Sequence, residues 1–203
     1  MNFTETAVIK WITTQEGADS KDPMDPGGHT RFGIAQNRNP NIDVRTLNQG
    51  SANELLYQKY YLGSGCQHLT WGLALAVCDG AVNQGVTGTV KRLQRALNYT
   101  NQGPEVLKPD GIFGSKTQTV IDRIVKPHEL GLYNRAFLLR EFMALRAKRY
   151  GDIAAANPAL WRKYGKGWMR RLIRCSQESM RLEREIDHAE RLRESRQRDF
   201  PSA

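Results

Sequence analysis

The sequence predicts a mainly α fold with a small loop or short hairpin at its functional site. Apolar residues recur at three- and four-residue intervals along most of the chain. No alternating run long enough for a core strand interrupts them. The stretch "QEGADSKDPMDPGGHTRFGI" (15–34) departs from both patterns, with two Asp-Pro steps and a Gly-Gly pair. Such turn formers between periodic segments specify a built loop.

The elements follow in order. Phe3, Ala7, Val8, Trp11 and Ile12 form one face of a first helix, capped by Asn2 or Thr4. Glu16 extends the line of Val8 and Ile12, and Gly17 stops the helix. A short hairpin is expected around Thr30 to Ile34. "SANELLYQKYYL" opens with Ser51 and Glu54 as a capping box. "LALAVCDGAVNQG" reads as a buried helix ending near Gly85, and "TGTVKRLQRALN" has one basic and one apolar face. "DGIFGSKTQTVIDRIV" is a glycine turn entering a helix that Ser115 caps. Pro127 suits the first turn of the next helix, which runs to about Tyr150. A last helix starts near Pro158, with Gly165 and Gly167 as candidate breaks. The tail "MRLEREIDHAERLRESRQRDF" pairs Glu and Arg three or four apart and reads as a solvated, partly frayed helix. Only Leu182, Ile186, Ala189 and Leu192 offer it packing positions.

Composition narrows the function classes. The chain has 203 residues, 39% apolar and 25% charged, which is globular and long enough for a sizeable core. The opening "MNFTETAVIKW" lacks a basic region followed by an apolar run, so synthesis in a cytoplasm without a signal peptide is expected. "LTWGLALAVC" is too short to span a bilayer. Cys66, Cys78 and Cys175 lack metal-ligand spacing and read as free buried thiols. The net charge of +9 is concentrated, since residues 135–175 hold 11 basic and 2 acidic residues. That stripe suits a polyanionic partner: nucleic acid, an anionic membrane or a bacterial wall. A solvated helix face explains the charge equally well.

The acidic loop carries the chemistry. A carboxyl at the inner end of an amphipathic helix is partly desolvated, which raises its pKa toward that of a general acid. Glu16 has that position. Asp25 follows nine residues later and Thr30 five after that. A raised-pKa Glu beside an ionised Asp is the asymmetry a glycosidase needs. Asp19 and Asp22 read as turn residues. A Ca²⁺ site is the competing reading, but the order of an EF-hand loop is absent and Pro23 and Pro26 constrain the backbone. These residues alone leave both readings open, beside a purely structural loop.

"EG…DPMDPGGHTRFGI" closely resembles the signature of the bacterial and phage N-acetylmuramidases of glycoside hydrolase family 108. Later segments agree in order: "LLYQKYY", "VCDGAVNQG", "LQRALN…DGIFGSKT" and "KGWMRRL". The likeness covers about Phe3 to Arg174. It implies a lysozyme-like helical domain and hydrolysis of the β-1,4 bond between N-acetylmuramic acid and N-acetylglucosamine in peptidoglycan. It assigns Glu16 as the acid, with Asp25 and Thr30 positioning water or stabilising the cationic sugar. Asn83 and Asp79 become candidates to line the cleft, and Trp168 and Arg171 to contact sugar or peptide. Core packing for Trp168 and a core hydrogen bond for Asp79 are the alternatives. One departure stands out: the family's second glycine after the glutamate is Ala18 here.

Residues 1–178 are accordingly expected to form a single muramidase domain. Within it, 3–85 is the catalytic part, 86–126 resembles a peptidoglycan-binding element, and 127–178 are basic helices; 179–203 is the charged tail. The expected setting is a phage endolysin held in the host cytoplasm until lysis and then acting at the periplasm and wall. It is expected to be monomeric, to need no cofactor or metal, and to bind peptidoglycan but not nucleic acid, with anionic wall or outer-membrane polymers as further partners of the basic helices. The alternatives are a lytic transglycosylase and a non-catalytic wall-binding or secretion-assisting protein.

Overall fold

The computed structural model of the chain describes residues 1–15, 28–101, 103, 104, 106–125 and 131–199. Helix α1 (Phe3–Gln15) leads to a two-stranded hairpin, β1 (Thr30–Arg31) and β2 (Ile34–Ala35). Then come α2 (Gln49–Leu55), continued by a π turn over Leu56–Tyr61, and α3 (Trp71–Gln84), α4 (Val86–Thr100) and α5 (Ser115–Val125). The long pair α6 (Gly131–Ala156) and α7 (Pro158–Asp199) completes the fold. The mainly α expectation and the hairpin are both met.

Helix α3 is the axle. Every residue from Gly72 to Val82 is buried, as expected of a helix that is apolar all round. Helices α1, α4, α6 and α7 pack around it. One apolar cluster runs without a break from Val8 to Leu182. It includes Ile12, Leu73, Leu93, Ile121, Phe142 and Leu172, so the segments before and after residue 86 share a core.

Local chemistry sets the ends. Asn2 caps α1 and forms a capping box with Glu5, each backbone N–H donating to the other's side chain, at 2.6 and 3.0 Å. The capping box expected at Ser51 and Glu54 instead joins Asn48 and Ser51, starting α2 three residues earlier. Asn48 accepts from the Ser51 N–H at 2.9 Å, and Ser51 Oγ accepts from the Asn48 N–H at 3.0 Å. The hairpin turn places Phe32 at φ 51° and Gly33 at φ 80°, the two left-handed residues of a type I′ turn. The second of these explains the glycine of the Thr-Arg-Phe-Gly-Ile motif.

The "DGIFG" turn is fastened to α4 by the buried Gln94. Its amide donates to Asp110 Oδ1 at 2.8 Å and to the Ile112 carbonyl at 3.1 Å, and its oxygen accepts from the Gly111 N–H at 2.9 Å. Phe113 then covers Gly65 and stacks on His68 at 5.6 Å.

Helix α7 departs from expectation twice. It runs unbroken through Gly165 and Gly167; Trp161 lies over Gly165, where a Cβ would sit 2.5 Å from the indole. The part beyond residue 178 is not wholly solvated. Ser179, Leu182 and Glu183 are buried, while Leu192 is exposed. Glu183 Oε1 accepts from Thr70 Oγ1 and from the Leu73 N–H, capping α3. Its Oε2 lies 3.0 Å from Nε of Arg135, itself fully buried. Burial pushes the Glu183 carboxyl above its ordinary range, against the pull of Thr70, the α3 amides and Arg135. Gly72 permits this approach, since a Cβ there would sit 2.2 Å from the Ser179 carbonyl oxygen.

The basic stripe is likewise only partly a surface. Arg135 and Arg146, three helical turns apart on α6, point into the core beside Leu138, Leu139 and Phe142. All three cysteines are free and buried, as expected. Burial pushes the Cys175 thiol up to about 12, which makes it a poor nucleophile.

Candidate active site

A cleft of about 650 Å³ lies between the hairpin, the end of α3 and the α6–α7 pair. Gln15, Thr30, Asn83, Trp168 and Arg171 all line it. These residues come from four elements spread over the whole chain. Glu16 follows Gln15 in sequence; Glu16, Asp19, Asp22 and Asp25 lie outside the described residues, as do Gly17 and Ala18.

Each described candidate reaches the cleft for a local reason. Thr30 is carried on β1, whose pairing with β2 is set by the tight Phe32–Gly33 turn. Its Oγ1 donates to the Gly28 carbonyl at 3.4 Å. Asn83 lies in the last turn of α3, two residues before Gly85, whose φ of 84° turns the chain into α4. The Asn83 amide donates to the Asp79 carbonyl oxygen at 3.1 Å, and its own carbonyl accepts from Arg38 at 3.4 Å. Arg38 therefore ties the hairpin side of the cleft to the end of α3.

Asp79 is the correction. The resemblance made it a candidate lining residue, but its side chain is fully buried. Both its oxygens are engaged: Oδ2 by Arg146 Nη2 at 2.6 Å, and Oδ1 by Arg171 Nε at 2.7 Å. A carboxylate held between two guanidiniums has nothing to offer a sugar directly. Burial pushes its carboxyl up, but Arg171 and Arg146 outweigh that and hold it below the ordinary range. Asp79 thus stays ionised and fixes Arg171 in the cleft wall. Arg146 is locked in turn by a second bond to the Ala76 carbonyl at 3.1 Å.

Trp168 lines the cleft as part of an aromatic cluster. Tyr150 stacks on it at 5.4 Å and Tyr164 at 5.8 Å, with Trp161 tilted at 6.5 Å. Its ring is engaged by protein partners, as the core-packing alternative expects, so it stiffens the wall that it borders. Burial raises the Tyr150 hydroxyl above its ordinary range, so Tyr150 remains neutral.

Sequence reasoning missed Arg38, Arg149, Tyr150, Arg170 and Arg174, which also line the cleft. The concentration of positive charge in residues 135–175 was the available signal for three of them. It did not say which arginines face a cleft and which, like Arg146, face the core.

A family model described as glycosyl hydrolase 108 matches residues 9–85, and one described as a predicted peptidoglycan domain matches residues 88–173. A search of the curated proteins returned no match. Among solved structures, the fold is similar to that of Brucella abortus SagA, with 21% identity and a TM-score of 0.72. That likeness covers 89% of this chain and 96% of the other.

Proposed function

We propose that this chain, whose residues 9–85 match the glycosyl hydrolase 108 model and residues 88–173 that of a predicted peptidoglycan domain, is a family 108 peptidoglycan hydrolase: an N-acetylmuramidase acting as a phage endolysin. The bond cleaved is the β-1,4 link from N-acetylmuramic acid to N-acetylglucosamine. Glu16 protonates the glycosidic oxygen. Asp25, with Thr30, positions the attacking water or stabilises the cationic sugar. Asn83 and Arg171 bind substrate, Asp79 holds Arg171, and Trp168 braces the wall.

One observation carries the reading. Thr30 and Asn83 belong to separate stretches of the motif series, and they meet at one cleft that Gln15, the residue before Glu16, also lines. A structural loop has no need of that convergence. The cleft volume is also within the range of about 300–1,000 Å³ usual for ligand sites. The endolysin setting is supported by the basic 135–175 segment, which suits an anionic wall. The two matched regions share one apolar core, which favours a single integrated domain over a tethered wall-binding module.

Mass spectrometry of purified sacculi digested with the wild type and with Glu16→Gln tests the chemistry. Reducing-end muramic acid is expected from the wild type. Glu16→Gln is expected to lose about 10²–10⁴-fold in rate, the usual share of general acid catalysis. Anhydro ends would mean a transglycosylase, reducing-end glucosamine a glucosaminidase, and no soluble product a non-catalytic wall protein. Expression inside a bacterium tests the setting: culture turbidity is expected to hold until the inner membrane is permeabilised, then fall. Lysis without permeabilisation would remove the endolysin route.

A further inference from the structure

The α6–α7 wall of the cleft is more basic than a neutral glycan chain requires. Arg149, Arg170, Arg171 and Arg174 form its α6–α7 wall, and Arg38 faces them from the hairpin side. No Asp or Glu lines the cleft among the described residues. Arg149, Arg170 and Arg174 are exposed, and among the described residues none of the three joins a salt bridge. Arg170 and Arg174 lie one turn apart on α7 and flank Arg171, which Asp79 anchors at 2.7 Å.

The sugars of peptidoglycan are uncharged where the muramic lactyl carboxyl is amide-linked to its peptide stem. The free anions of such a strand are the stem's own carboxylates. Planar guanidiniums match carboxylates in a bidentate fashion, and discriminate them from neutral amides. Among these arginines Arg171 is held in position before the ligand arrives, by Asp79 and beside the stacked Tyr150, Trp168 and Tyr164.

We infer that the α6–α7 wall of the cleft is a subsite for the carboxylate-bearing peptide stem, so that the substrate class is stem-bearing glycan and not stripped glycan. This rests on the peptidoglycan reading of the cleft and adds its specificity determinant. Arg170 and Arg174 contact the stem carboxylates, with Arg171 fixed between them by Asp79.

Isothermal titration of the full chain tests it with three probes: a disaccharide-tetrapeptide with free carboxylates, the same compound amidated, and the disaccharide alone. The first is expected to bind at least about tenfold more tightly than the other two, and its affinity is expected to fall as salt rises. The double variant Arg170→Gln/Arg174→Gln removes two exposed charges, and its melting temperature reports that it folds. It is expected to weaken the free-carboxylate probe about fivefold or more while moving the amidated probe less than about twofold. Equal binding of all three probes, no detectable binding of the free-carboxylate probe, or an equal loss for all three in the double variant would each overturn the subsite. Hydrolysis of sacculi is scored separately: cleavage without stem discrimination removes the subsite and keeps the hydrolase. Stem discrimination in a chain whose Glu16→Gln variant still lyses keeps the subsite and removes the catalytic assignment.

Discussion

Replacing Glu183 with Ala asks whether the C-terminal half of α7 is part of the fold or an appendage. The carboxylate does two things at once. It caps α3 through Thr70 and the Leu73 N–H, and it faces the fully buried Arg135 at 3.0 Å. Removing one partner of a buried ion pair costs about 3–5 kcal/mol, because the other charge is stranded. Loss of an N-cap costs about 0.5–2 kcal/mol. Arg135 keeps one carboxylate, since its Nη2 lies 3.1 Å from Glu190 Oε2, which offsets part of the first figure. The expected net loss is therefore about 3–4 kcal/mol. With a urea m-value of roughly 2–3 kcal/mol/M, the unfolding midpoint drops by about 1–2 M. At about 2–4 °C per kcal/mol, Tm falls by roughly 6–16 °C. Glu183→Gln keeps an acceptor for the cap and removes a charge whose burial is itself costly, so its loss is expected to be about half as large. Urea titration followed by circular dichroism measures both. A Glu183→Ala protein within about 0.5 kcal/mol of wild type would refute the reasoning and return the tail to solvent.

Three further outcomes follow from the same geometry. Gly72→Ala puts a Cβ 2.2 Å from the Ser179 carbonyl oxygen, and is expected to cost at least about 1–3 kcal/mol in thermal melts; an unchanged Tm would mean that α3 and α7 are not in contact there. Asp79 has a folded-state pKa below its unfolded value, so its contribution is present above about pH 4 and lost as pH falls through the folded value. Stability is expected to decline from pH 5 to pH 2 in the wild type, with a shallower decline in Asp79→Asn; matching slopes would deny that Asp79 is ionised between its two arginines. Gly33→Ala forces an L side chain to φ 80° in the hairpin turn, and is expected to cost about 1–2 kcal/mol and to slow sacculus clearing by displacing Thr30. Wild-type clearing with an unchanged Tm would detach the turn from the site.

Much of this protein is legible in one dimension. The helices are, because apolar spacing and caps act over three or four residues, and the run from Gly72 to Val82 announces a buried helix by having no polar face. The hairpin and its glycine are legible too, since turn chemistry is local. The loop motif and the later "VCDGAVNQG" segment pointed to the family, and one residue that each picked out, Thr30 and Asn83, line the same cleft. What only the tertiary structure decided is the partnership of charges. Arg135, Arg146 and Arg174 look alike in a basic helix, yet the first two are buried against carboxylates and the third faces the cleft. Asp79 and Glu183 look like ordinary acids, yet each anchors a guanidinium across more than forty residues of chain. The physical reason is that burial, and the partner that makes burial tolerable, are set by helices that meet only after the chain has folded.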